Sequence, residues 1–122
     1  MCARILLADD NPTIRHSLRT LLSKQADWTI CGEAENGKMA VEMAERLSPD
    51  LVILDLSMPV INGLDAARQI KKTSPDIQIV MFTMHEFPHL REEARKVGVN
   101  ELVPKTAHPS RLLNALLAML DG

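Results

Sequence analysis

No apolar run in this chain approaches the roughly 18 residues that a bilayer-crossing helix needs. The apolar start Ile5-Leu6-Leu7-Ala8 is cut short by Asp9 and Asp10, so it does not form a signal-peptide core. The expected compartment is the cytoplasm, with no membrane partner. Cysteine is scarce. Cys2 and Cys31 are too few for a disulfide framework and lack the paired spacing of a zinc site, so both read as reduced thiols in or near strands. Basic residues are not in excess, because 14 Lys and Arg stand against 16 Asp and Glu. The basic face of a free-standing DNA-binding module is therefore missing. The chain also lacks internal repeats, low-complexity segments and internal linkers.

What remains is 122 residues with 46% hydrophobic content, the size of one domain with one core. Short apolar runs alternate with longer helical patterns. Arg4 to Ala8 reads as a buried strand. Asn11 then caps a helix with Pro12 at its first position, and Ile14, Leu18, Leu21 and Leu22 form its buried stripe. Trp28 to Ala34 is less uniformly apolar and reads as an edge strand. Asn36-Gly37 opens a second helix on Ala40, Val41, Ala44 and Leu47, stopped by Ser48-Pro49-Asp50.

Leu51-Val52-Ile53-Leu54 is apolar at both alternations, as a central parallel strand covered by helices must be. Asn62 with Asp65 three residues on resembles a capping box, and Leu64, Ala67 and Ile70 continue that helix. Ile77 to Phe82 is a further strand. Phe87 to Val97 is a weak helix on Leu90, Ala94 and Val97, ended by Gly98. Glu101 to Val103 is a short last strand, and Pro109 starts a helix carrying Leu112, Leu113, Leu116, Leu117 and Leu120. Five strand–helix units in strict alternation imply a parallel sheet with helices on both faces. Five strands fit the flavodoxin-like order 2-1-3-4-5, in which ligands bind at the carboxyl ends of the strands.

The informative polar residues stand at those ends. Asp9 and Asp10 follow the first strand, Asp55 the third, Thr83 the fourth and Lys105 the fifth. Carboxylates gathered there repel one another unless a cation joins them. Oxygen ligands select a hard divalent ion such as Mg2+. Lys105 and the Thr83 hydroxyl would receive an anion. Acids, a lysine and a hydroxyl together describe metal-assisted phosphoryl transfer. The spacing of His85, His89 and His108 has no metal-ligand pattern.

At these residues a resemblance becomes specific. Ile5 to Asn11 resembles the acidic-pair strand of response-regulator receiver domains. Leu54-Asp55-Leu56-Ser57-Met58-Pro59 with Asn62-Gly63 resembles their phosphoacceptor loop, and Phe82-Thr83 and Pro104-Lys105 stand where the family has its switch hydroxyl and its lysine. The match runs over essentially the whole chain, residues 1–122, as one receiver (CheY-like) domain.

The resemblance implies these roles. Asp55 accepts the phosphoryl group from a sensor histidine kinase. Asp10, Asp55 and the Ser57 backbone carbonyl bind Mg2+ (or Mn2+), and Asp9 binds it through water. Thr83 and Lys105 hold the phosphoryl oxygens. The domain is a signalling switch rather than an enzyme, apart from self-phosphorylation by small donors and slow self-dephosphorylation. Its output face is the last two helices and the strand between them, used for a homodimer or a partner domain, with Arg95, Glu101 and Arg111 as polar contacts. Leu102 occupies the switch position that many relatives fill with Tyr or Phe. Thr106, not proline, follows Lys105, so no cis proline bond is expected there.

His85 and Met84, just past Thr83, are expected to tune hydrolysis and narrow access to Asp55. Phe82 to Glu86 resembles receivers that precede a LuxR-type helix-turn-helix domain, so DNA would be reached only through an output domain not present here. The chain then reads either as part of a longer transcription factor or as a stand-alone regulator. Two other readings compete. A phosphatase of the haloacid-dehalogenase type would need an acid where Ser57 stands. A degenerate receiver would not keep Asp9, Asp10, Asp55 and Lys105.

Overall fold

The computed structural model describes residues 2–85 and 87–120. Its strands are β1 (Ala3–Ala8), β2 (Trp28–Ala34), β3 (Leu51–Leu54), β4 (Gln78–Thr83) and β5 (Glu101–Pro104). They alternate with the helices α1 (Pro12–Leu22), α2 (Gly37–Leu47), α3 (Gly63–Thr73), α4 (Leu90–Lys96) and α5 (Pro109–Leu120). All strand pairs are parallel and the order is β2-β1-β3-β4-β5, with β2 at an edge, as the sequence predicts.

The period-2 alternation of the strands splits the core into two layers. Leu6, Ala8, Val52, Leu54, Ile79, Met81 and Leu102 pack with α2, α3 and α4. Ile5, Leu7, Leu51, Ile53, Val80 and Val103 pack with α1 and α5. The central strands bury both faces, which is why they read as unbroken apolar runs.

The helix starts follow the caps. Asn11, Asn36 and Asn62 each accept a backbone N–H of their own first turn through the side chain. The capping box at Asn62 forms only in half. The Asp65 carboxylate turns to Arg68 at 2.7 Å, because Asp is one methylene shorter than the Glu that reaches back to a cap. The buried face of α3 is Ala66, Ala67 and Ile70, with Leu64 only half-buried. In α2, Ala40 and Ala44 are buried, and Val41 and Leu47 half-buried.

The fourth helix is shorter than its apolar pattern suggested. Phe87 and Pro88 stay outside it, and His89 enters it in the left-handed region at φ 72°, without a side-chain cap. Its other end matches the expectation. Gly98 has φ 100°, its N–H donates to Arg95 O, and the Val99 N–H donates to Ala94 O, the pattern of a Schellman stop. There is no cis peptide bond among the described residues.

Candidate functional site

Parallel strands put all five carboxyl ends on one edge, where Asp9, Asp55 and Lys105 directly follow β1, β3 and β5 and Thr83 ends β4. The Asp55 N–H donates to Ala8 O, and the Asp9 N–H donates to Ala34 O, which holds the strand ends in register. The Lys105 N–H donates to Thr83 O at 2.8 Å, tying β5 to β4 one residue past the strand.

Carboxylate oxygens of Asp9, Asp10 and Asp55 all lie within 4.8 Å of one another. Asp9 and Asp55 are 2% and 5% exposed, whereas Asp10 faces solvent. Lys105 Nζ enters this group 2.7 Å from Asp9 Oδ2 and 3.5 Å from Asp55 Oδ2. Nζ also lies over the Phe82 ring, 5.9 Å from its centroid. With all four groups ionised, three negative charges meet one positive charge. The remaining −2 matches one divalent cation.

The electrostatics show the strain of this crowding. Burial foremost, then the charge of Asp9, pushes the Asp55 carboxyl above its ordinary range. Lys105 and a hydrogen bond from the Ser57 backbone N–H oppose the shift without cancelling it. Two like charges at 4.8 Å repel by about 3 kcal/mol at an effective dielectric of 20. A hard cation with oxygen ligands would relieve that repulsion, and an all-carboxylate donor set suits Mg2+.

The other residues named from the sequence take different positions. Thr83 is 1% exposed at the end of β4, and its Oγ1 accepts the His85 N–H at 3.0 Å. The Ser57 side chain is exposed, while its backbone lies beside Asp55. Met84 is 62% exposed and the His85 side chain is also exposed, so both stand in the loop after Thr83 rather than among the acids. Glu86 lies outside the described residues. Leu102 is buried in the core layer shared with α4. Arg95, Glu101 and Arg111 are exposed.

Two supports of the site were not anticipated. Gly63 starts α3 directly against the Asp55 loop. A Cβ there would meet Asp55 O at 2.2 Å, and its N–H donates to Leu56 O at 2.7 Å. The pair Asn62-Gly63 is visible in the sequence, but nothing in it reveals this close approach. The second support is Arg15 on α1. It is 3.0 Å from Glu33 of β2 and donates to the backbone carbonyl of Asp9 at 2.6 Å. These residues are far apart in sequence and carry no local signature.

A family model described as the response regulator receiver domain matches residues 5–117. The chain belongs to that family. This receiver is 40% identical to the nitrate/nitrite response regulator protein NarL of Escherichia coli K12, over 93% of this chain and 53% of NarL. It is 36% identical to the chemotaxis protein CheY of Thermotoga maritima, over 95% of this chain and 96% of CheY. Among solved structures, the receiver resembles a LuxR-family two-component response regulator from Aurantimonas sp. SI85-9A1. There the TM-score is 0.94 and the identity 31%, covering 100% of this chain and 87% of that one. The receiver spans about half the length of the curated transcriptional relatives it matches, including YdfI of Bacillus subtilis and NarL. Receivers of this family bind Mg2+ at an acidic pocket, and the cluster of Asp9, Asp10 and Asp55 has that composition.

Proposed function

We propose that the chain, residues 1–122, is one receiver domain that takes a phosphoryl group onto Asp55 from a sensor histidine kinase. The observation that carries this reading is the convergence of Asp9, Asp10, Asp55 and Lys105 at one sheet edge. An oxygen of Asp55 attacks phosphorus, the bond from phosphorus to the donor atom breaks, and an acyl phosphate forms. The donor atom leaves with the electron pair. Asp10, Asp55 and the Ser57 carbonyl would hold Mg2+ or Mn2+ directly, with Asp9 reaching it through water. The bound cation supplies charge neutralisation where phosphoryl oxygens meet carboxylates.

Lys105 then turns from Asp9 toward the new phosphoryl group, which adds roughly −1.5 to −2 charges. Thr83 Oγ1 exchanges the His85 N–H for a phosphoryl oxygen, and the loop carrying Met84 and His85 moves with it. The short α4, entered through a left-handed His89, is the element this movement biases. A groove of about 400 Å³ between α4 and β5, lined by Arg91, Arg95, Glu101 and Leu102, lies on the proposed output face. With Leu102 buried in place of an aromatic, the loop after Thr83 carries the signal rather than a rotating ring.

The domain acts as a switch, with self-phosphorylation and slow self-dephosphorylation as its only turnover. Its partners would be the kinase, a second copy through α4, β5 and α5, and a LuxR-type output domain through which DNA is reached. No helix among the described residues is long and apolar enough to cross a membrane, and the reading places the domain in the cytoplasm.

The test is incubation with acetyl phosphate and Mg2+, followed by intact mass. The expected result is one added phosphoryl group, absent without divalent cation and absent in Asp55→Asn. An adduct that persists in Asp55→Asn overturns the assignment.

A further inference from the structure

Arg15 stands out because its charge has the wrong sign for its place. A guanidinium beside a cation-binding acidic cluster repels the cation, yet Arg15 is held there by two groups. Its NH1 donates to the backbone carbonyl of Asp9 at 2.6 Å, and its Nε donates to Glu33 Oε1 at 3.0 Å. The other Glu33 oxygen accepts from Arg19 at 2.6 and 2.9 Å. Arg19 foremost, and Arg15 with it, hold the Glu33 carboxyl below its usual range against partial burial. The Arg15 side chain is 16% exposed, so its own two bonds are partly sheltered from water, whereas the Arg19–Glu33 pair is exposed. The same short loop is pinned from its other side. Asp9 Oδ1 accepts the Asn11 N–H at 2.9 Å, and Oδ2 pairs with Lys105.

We propose that Arg15, oriented by Glu33, is a positioning residue that fixes the Asp9–Asn11 loop so that Asp9 and Asp10 face the cation site together with Asp55. Arg15 touches neither cation nor phosphoryl group and acts through the Asp9 carbonyl. The proposal rests on the reading of the cluster as a magnesium site. Outer-shell partners of this kind typically change metal affinity by about 10- to 100-fold when removed.

The sign of the effect separates positioning from charge. If Arg15 acted only as a nearby positive charge, its removal would tighten Mg2+ binding. Positioning predicts the reverse. The experiment titrates the intact chain with Mg2+ by calorimetry for the unsubstituted protein, Arg15→Gln, Arg15→Lys and Arg19→Gln. Amide exchange of Asn11 is followed by NMR in metal-free samples.

Arg15→Gln is expected to weaken Mg2+ by about tenfold or more and to speed Asn11 exchange. Arg15→Lys keeps the charge but reaches fewer partners, and should fall between Arg15→Gln and the unsubstituted protein. Arg19→Gln, which leaves the bond to Asp9, should shift the affinity by less than about threefold, as an exposed surface pair does. Unchanged or tighter Mg2+ binding by Arg15→Gln overturns the proposal. If Arg15→Gln does not fold, Arg15→Lys decides by the same criterion. Failure of the unsubstituted protein to bind Mg2+ would instead overturn the magnesium reading. Asn11 exchange then decides whether Arg15 orders the loop: faster exchange upholds that role and unchanged exchange overturns it.

Discussion

Lys105 Nζ lies closer to Asp9 than to Asp55, at 2.7 against 3.5 Å. The lysine thus partly occupies the charge deficit that a divalent cation would fill. Removing it leaves buried carboxylates facing one another with no cation between them. Lys105→Met should lower stability by about 3 kcal/mol at neutral pH without divalent ions. It should also bind Mg2+ more tightly than the unsubstituted protein, because a competing charge is gone. Urea unfolding with and without Mg2+ checks both effects. Equal stability of the two proteins without metal would contradict the pairing.

Asp55 contributes a pH dependence of opposite sign to that of a salt-bridged acid such as Glu33. Its folded-state pKa is raised by burial and by Asp9, so between the unfolded and folded values the folded protein binds more protons. The contribution of Asp55 to stability therefore falls as pH rises through that window and stays lower above it. Asp55→Asn removes the shifted group. It should be more stable than the unsubstituted protein at pH 8 without divalent ions, by on the order of 1 kcal/mol. The gain should vanish well below the unfolded carboxylate range. Thermal melts at several pH values measure the difference, and a destabilised Asp55→Asn at pH 8 would contradict it.

Gly63 is needed for contact, not for an unusual dihedral. Its missing Cβ would meet backbone atoms of Asp55 and Leu56 at 2.2 to 2.9 Å. Backbone cannot step aside as a flexible side chain can. Gly63→Ala should cost about 2–4 kcal/mol and slow phosphorylation of the molecules that remain folded, because the Asp55 loop must shift. Chemical denaturation and the rate of acyl-phosphate formation test the two effects separately.

Val60 has the opposite problem. It is β-branched, 73% exposed, and held at φ 73°. The left-handed region costs a side-chain-bearing residue roughly 1–2 kcal/mol, and Val60 loses little packing when replaced. Val60→Gly should raise stability by about 1 kcal/mol, with phosphorylation on Asp55 retained. A lower melting temperature for Val60→Gly would contradict strain at this position.

The strands and the acids were legible because they mark each other. Apolar runs such as Leu51–Leu54 end abruptly at a polar residue, and parallel topology carries those ends to one edge. Gly98 was legible as a stop because its dihedral angle favours glycine. The start of α4 was not, since His89 takes a left-handed conformation that no glycine announces. Arg15, Glu33 and Arg19 escaped because α1 and β2 meet only through the fold, and each residue alone reads as a solvated charge. The capping box misled because Asp65 matches the pattern in charge but not in length.

The most direct measurement traps the acyl phosphate chemically. Protein treated with acetyl phosphate and Mg2+ is reduced with borohydride, which converts a phosphorylated aspartate to homoserine, and the peptides are then sequenced by mass spectrometry. The account predicts homoserine at position 55 alone, dependent on divalent cation. Homoserine at position 9 or 10, or none at all while phosphate is incorporated, would contradict it.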